Sequence, residues 1–292
     1  MLPRIKSCVV LGGSSQIGSW LAPALIAKGW TVHLISRGLK PQPDYGSAAT
    51  WHSLNLRTAT PFPEIDASVA FDTIGNVDEC VDRLRTVGVD RVITFSSTSV
   101  FTKASSPDPG DRKSVEEIKL REDSIIRACN HAQMRWTIFR PTLIYGGKFG
   151  DRTVNDIARV IRTFRFFPVF GDAKGLRQPV HADDLAAACI AVMENPAAFD
   201  RCYNIGGGEV LPYRAMIERI FVSMGREPRL VRIPLPAFEL AAKALRQVPR
   251  YRHITASMAT RMQQDMVFGN EDAEHDFGYS PRRFLPTIHL EK

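Results

Sequence analysis

Gly12-Gly13-Ser14-Ser15-Gln16-Ile17-Gly18 is a turn of small residues between a short apolar run, Cys8 to Leu11, and a helix-spaced series, Ile17, Leu21, Ala24 and Leu25, that stops at Gly29. Such a turn can hold a pyrophosphate. The backbone N–H groups at a helix N-terminus have no intrahelical partner, and the helix dipole adds partial positive charge, so the anion needs no cationic side chain. The ends of the dinucleotide fingerprint G-x-x-G-x-x-G are kept, with Gly12 for the tight turn and Gly18 for close approach of helix to strand. Its middle position is Ser15, whose side chain stands where backbone would approach the phosphates, so Ser15→Gly is expected to be neutral or beneficial. The competing reading is an ordinary strand-turn-helix connection.

A second chemical signal follows the next strand, Thr31 to Ile35. Ser36 and Arg37 leave that strand where an adenosine ribose would lie. An acidic residue there would accept from a ribose 2′-hydroxyl, whereas Arg37 can pair with a 2′-phosphate, so NADP is expected in preference to NAD. A solvated loop arginine is the plainer alternative. Further along, Asn55 and Leu56 are expected to border an adenine. Thr73, after a strand Ala67 to Phe71, is expected beside the cofactor, and Asp72 can equally serve as a turn residue.

The elements that must position these groups are read from periodicity. Strands are expected at Ala49–His52, Arg91–Phe95 and Trp136–Phe139, and a helix from Ser114 to Ala132, with Ser114 as N-cap and Glu117 completing a capping box. Asp183 is placed to cap an apolar helix that ends near Glu194. Alternating strands and helices imply an α/β fold with a doubly wound parallel sheet. Ligands of such sheets collect beyond the carboxyl ends of the strands, where Gly12, Ser36, Thr73, Ser97 and Pro141 all fall. Residues 1–165 are expected to form the nucleotide-binding domain, completed by returning segments around 176–206, and 166–292 a smaller mixed lobe facing substrate or partner.

The 292 residues carry a net charge of +7 and 44% hydrophobic content, enough for a substantial core and a bias toward anionic partners. The five cysteines are scattered through apolar patterns and read as reduced core thiols, and no cluster has metal-ligand spacing. No leader or membrane-spanning run is evident, so a cytoplasmic location is expected, membrane association remaining open. Arginines and lysines near the C-terminus, Arg226, Arg229, Arg232, Lys243, Arg246, Arg250 and Arg252, lie among apolar residues such as Leu235, Phe238 and Leu245. They suit an acidic protein or a membrane surface, and nucleic acid less well.

Several stretches together resemble the extended and atypical short-chain dehydrogenase/reductase superfamily, with its NAD(P)-dependent epimerases and dehydratases acting on nucleotide sugars. They are Gly12 to Gly18, Ser96-Ser97-Thr98-Ser99-Val100-Phe101, Arg140-Pro141-Thr142-Leu143-Ile144-Tyr145-Gly146, Val180-His181-Ala182-Asp183-Asp184-Leu185 and Tyr203-Asn204-Ile205-Gly206-Gly207-Gly208. The resemblance implies a Rossmann-like fold, an oxidoreductase activity and a small-molecule substrate of the nucleotide-sugar kind. It also implies cofactor contacts from Gly12, Gly13, Ser14, Ser15, Gln16, Ile17, Ser96, Lys119 and Pro141. In that family a Ser or Thr after the fifth strand orients the substrate oxygen, a Tyr exchanges its proton, and a Lys four residues later binds the nicotinamide ribose. Ser97 and Lys119 match, but the tyrosine position is Val115. Two consequences are open: Lys119, with its pKa lowered by partial burial, takes over as acid or base, or the protein is a non-catalytic binder. Arg177-Gln178-Pro179-Val180, Ile233-Pro234-Leu235-Pro236 and Arg261-Met262-Gln263-Gln264-Asp265-Met266 look like the NADPH-binding accessory-subunit group of respiratory complex I, which also lacks the tyrosine.

Overall fold

Short runs of β-branched and aromatic residues that are apolar on both faces make strands that can only lie inside a covered sheet. The computed structural model, which describes residues 6–37, 45–58, 60–147, 152–234 and 261–284, bears this out. The first half runs β1 (Ser7–Leu11), α1 (Gly18–Ala27), β2 (Thr31–Ser36), β3 (Ala49–Ser53), β4 (Val69–Asp72), α2 (Val81–Thr86) and β5 (Arg91–Phe95). Then come α3 (Ser99–Thr102), α4 (Pro109–His131), β6 (Arg135–Pro141), β7 (Ile144–Tyr145), α5 (Arg152–Phe164), β8 (Phe167–Phe170), β9 (Leu176–Arg177) and β10 (Val180–His181). The remainder is α6 (Ala182–Val192), β11 (Arg201–Ile205), β12 (Leu211–Pro212), α7 (Tyr213–Ser223), β13 (Leu230–Ile233) and α8 (Glu271–Phe277).

Seven strands form one parallel sheet in the order β11-β6-β5-β4-β1-β2-β3. The winding reverses between β1 and β4, which opens a crevice at their carboxyl ends. One face packs Val10, Val32, Leu34 and Phe71 under α1 and α6; the other packs Val9, Ala70, Val92 and Ile138 under α2 and α4. A third apolar cluster, with Ile157, Ile161, Phe167, Val169, Ile217 and Phe221, is the core of a smaller mixed lobe. The doubly wound Rossmann-like architecture with a second lobe is therefore observed. All five cysteines are free, four are fully buried, and burial pushes the thiols of Cys8, Cys80, Cys129 and Cys189 up.

Two boundaries differ from the sequence reading. The helix expected from Ser114 starts at Pro109, and Asp108 is its cap, accepting from the Gly110 N–H at 2.8 Å. Proline fits the first helical turn because its missing N–H would have no partner there anyway. Ser114 instead turns its hydroxyl back to the Gly110 carbonyl at 3.0 Å, inside the helix. The cap of α6 is His181, whose Nδ1 accepts from the Asp183 N–H at 3.1 Å, not Asp183. The Asp183 and Asp184 carboxylates are taken by Arg282, at 2.7 and 2.8 Å, which ties the C-terminal stretch to the start of α6.

Candidate cofactor and active-site cleft

The strand-turn-helix unit is built as the sequence requires. Gly12 has a φ of +83°, and a Cβ there would meet Ile74 and lie 2.8 Å from Thr73 Oγ1. A Cβ on Gly18 would strike the Gly12 carbonyl oxygen, so only glycine lets α1 come this close to the turn. The residue at the N-cap of α1, Ile17, offers no capping side chain. The N–H groups of Gln16 and Ile17 have no partner among the described residues, which leaves them to an incoming anion. The chain passing over the turn is held by Trp20, whose indole N–H donates to the Gly146 carbonyl at 2.7 Å.

Ser15 has a different role from the one expected. Its Oγ accepts the Gly18 N–H at 2.9 Å and donates to Thr73 Oγ1 at 2.8 Å, and the Thr73 hydroxyl in turn reaches the Leu11 carbonyl at 2.8 Å. Ser15 and Thr73 therefore brace the turn against the end of β4, and the Thr73 hydroxyl is occupied by this brace rather than pointing to a ribose. The Ser15→Gly variant should accordingly bind NADH about five- to tenfold more weakly, the cost of one lost hydrogen-bond relay. Fluorescence titration of bound NADH reads this directly; wild-type affinity would restore the fingerprint reading.

The ends of β2 and β3, where the sequence reading expects the adenosine, lie side by side. Leu54 and Leu56 are buried there, whereas Asn55 is exposed and its carboxamide oxygen accepts the Arg57 N–H at 3.2 Å, closing a turn. His33 and His52, on neighbouring strands, bring Nδ1 and Nε2 to 3.2 Å. Burial lowers the pKa of both, so the pair is neutral near pH 7. This pair has no local signature, because the contact depends on the register of β2 with β3. Arg37 is exposed on the bend after β2 and makes no ion pair among the described residues.

At the carboxyl end of β4, Asp72 is fully buried and accepts from the N–H groups of Ile74, Gly75 and Val77 at 3.1, 3.0 and 2.9 Å and from Thr94 Oγ1 at 2.8 Å. Burial pushes its pKa up while these donors pull it down. It holds the loop from Thr73 to Val77 in shape. This loop, with Phe95, Ser96, Ser97 and the flank of α4, lines a cleft of about 460 Å³. Ser97 sits there half-buried, its Oγ 3.0 Å from Ser99 Oγ.

Ser96, expected to contact a cofactor, has its hydroxyl engaged within the protein. Its hydroxyl donates to Glu122 Oε1 at 2.5 Å, and Glu122 also takes Arg140 Nε and Nη2 at 2.8 and 2.5 Å. Glu122 is buried, and the paired carboxylate holds the Arg140 guanidinium above its usual pKa. This bidentate pair locks α4 to the ends of β5 and β6, below the position of Lys119. Phe101 lies over Arg140, with the guanidinium carbon 5.5 Å from the ring centre. Pro141 contributes through its backbone, its carbonyl accepting Thr98 Oγ1 at 3.0 Å.

On α4, Val115 is buried while Lys119, one turn on, is exposed and unpaired among the described residues. The partial burial expected of Lys119 is not found: it is exposed although it lies one turn after the buried Val115 and one turn before the buried Glu122. Ser97 and Lys119 make no hydrogen bond to each other. The basic cluster from Lys243 to Arg252 lies outside the described residues. Among those described, no helix is long and apolar enough to cross a membrane.

Comparison with known proteins agrees with this geometry. The NAD dependent epimerase/dehydratase family profile matches residues 72–206. The chain is 25% identical over 301 residues to the chloroplast stem-loop binding protein of 41 kDa b from Arabidopsis thaliana, covering 94% of this chain and 75% of that protein. It is 24% identical over 320 residues to the 2-alkyl-3-oxoalkanoate reductase of Stenotrophomonas maltophilia, covering 94% of each. The likeness to subunit 9 of the NADH dehydrogenase 1 alpha subcomplex of Arabidopsis thaliana is 28% identity over 116 residues, 39% of this chain and 27% of that one, too short to place the chain in that group. Among solved structures, the UDP-glucuronic acid 4-epimerase of Bacillus cereus in complex with NAD superposes with a TM-score of 0.71 at 15% identity, covering 96% of this chain and 94% of that chain.

These structures correct the cofactor expected from Arg37. That epimerase holds NAD, as does the structural neighbour MoeE5. The physical reason lies in the bend after β2: one exposed guanidinium with no partner among the described residues is not a built 2′-phosphate site, and a local motif could not reveal that.

Proposed function

We propose that this chain, which has the extended NAD(P)-binding epimerase/dehydratase-like fold, is an NAD-dependent oxidoreductase in which Lys119 replaces the missing tyrosine as the proton-transfer group. The observation that carries this is the pairing on α4 of a buried Val115 with an exposed, unpaired Lys119 one turn later. Valine has no proton to give, whereas the Lys119 ammonium, one helical turn on, does.

The residues present fit a dinucleotide: N–H groups of Gln16 and Ile17, ahead of α1, that have no partner among the described residues, and a turn with no room for side chains at Gly12 and Gly18. When bound, NADH supplies a hydride to a carbonyl carbon. Ser97 donates a hydrogen bond to the carbonyl oxygen, and Lys119 gives that oxygen a proton and regains one from water, leaving an alcohol. The Glu122–Arg140 pair keeps α4 fixed while this happens. The substrate is a small carbonyl or alcohol. A nucleotide sugar is the first class to test, because solved neighbours were captured with UDP-glucose and UDP-glucuronic acid.

The Lys119→Met variant should fold and keep its melting temperature while losing about 100-fold in NADH-dependent reduction, the usual range for removing a general acid. NADH consumption is assayed against a panel of UDP-sugars and 3-oxo acids. Full activity in the variant would place the chemistry elsewhere. A second reading, a non-catalytic NAD-binding structural or assembly protein, draws on the buried Val115 itself; NADH binding with no turnover on any substrate would favour it.

A further inference from the structure

The second lobe carries an exposed tip in which aromatic and cationic side chains alternate. α5 ends at Phe164, and Arg165 then adopts a left-handed backbone with φ of +64°. The reversal leaves Phe164 and Phe166 in solvent, 60% and 38% exposed, with ring centres 6.2 Å apart. Next, β8 pairs in parallel with β13, placing Phe167 opposite Leu230 and Pro168 opposite Val231. Side chains alternate along a strand, so Phe167 and Val169 enter the lobe's core while Phe166, Pro168 and Val231 share the outer face. Val231 is 46% exposed. Arg165 lies between the two phenylalanines, Arg162 precedes them in the last turn of α5, and the Arg229 carbonyl accepts the Phe167 N–H at 2.9 Å; all three arginines are exposed, and none forms an ion pair among the described residues. An apolar face rimmed by unpaired cations is costly in water and marks an interaction surface.

We propose that this tip docks on an anionic lipid bilayer, with Phe164 and Phe166 entering the headgroup boundary and the three arginines pairing with lipid phosphates. Charge complementarity selects the partner: the cations are unmatched among the described residues, and the chain's net charge is +7. The apolar part selects lipid over nucleic acid. Phenylalanines could stack on bases, but Pro168 and Val231 add an aliphatic surface that offers a base neither a π-face nor a donor, whereas an acyl boundary accepts all four. The tip belongs to the second lobe and shares no residue with the cofactor cleft, so lipid and cofactor binding are separable.

The full chain is to be co-sedimented with vesicles of equal parts phosphatidylcholine and phosphatidylglycerol, and with phosphatidylcholine alone. Binding is expected only to the mixed vesicles. It should fall about fivefold for each of Arg162→Gln, Arg165→Gln and Arg229→Gln, and about tenfold or more for the double variant Phe164→Ala/Phe166→Ala. Melting temperature and NADH binding should not move. Equal binding to phosphatidylcholine alone, no binding to either vesicle, or undiminished binding by the double variant would overturn the proposal. So would a single-stranded RNA that binds the wild type, competes with vesicles and is lost by the same variants.

Discussion

Gly12→Val is expected to lower NADH affinity on the order of 100-fold or more. The native φ of +83° lies where a β-branched residue is strained, and the added carbons collide with Ile74 and Thr73 at the end of β4. Relief requires the turn to move away from the site of the pyrophosphate, which separates the anion from the Gln16 and Ile17 N–H groups. A loss of about 3 kcal/mol in binding corresponds to that fold-change. Calorimetry with NADH, run beside thermal unfolding, distinguishes this from global collapse. A folded variant with wild-type affinity would put the phosphate site elsewhere.

Glu122→Ala is expected to cost about 3 kcal/mol of folding stability, measured by urea unfolding. Deleting the carboxylate strands the Arg140 guanidinium in a site where only about a fifth of its side chain is exposed (21%), and it frees Ser96 as well. The double variant Glu122→Met/Arg140→Met should recover much of the loss, because it leaves no unpaired charge. A single-variant loss below about 1 kcal/mol would mean that water already reaches the pair.

The parts legible in the sequence are those with a local signature. β1, β5 and β6 are short apolar runs, α1 has helical spacing ended by Gly29, and the turn at Gly12 carries glycine where a positive φ is needed. Features set by distant pairing were not legible. Glu122, Ser96 and Arg140 come from three elements, and no periodicity announces that they meet. The turn hydroxyls misled in the same way, since Ser15 looks like an obstruction until Thr73 is found 2.8 Å away. Arg91, the first residue of the expected strand Arg91–Phe95, is 1% exposed, donating to the Val192 carbonyl at the end of α6 and lying 4.7 Å from the Phe199 ring centre, a partnership its own strand does not announce. Pro109 and Gly110 lie before the helix start expected at Ser114, yet with Asp108 as cap they open a helix of 23 residues. The cofactor preference failed because Arg37 was read by residue type, without the second partner that a phosphate site requires.

The most direct measurement is calorimetric titration of the wild-type chain with NADH and with NADPH at one ionic strength. One NADH per chain is expected, bound at least as tightly as NADPH. Absence of binding to either, or NADPH binding tighter by about tenfold or more, would contradict the assignment of the Gly12–Gly18 turn and its neighbouring strand ends as an NAD site.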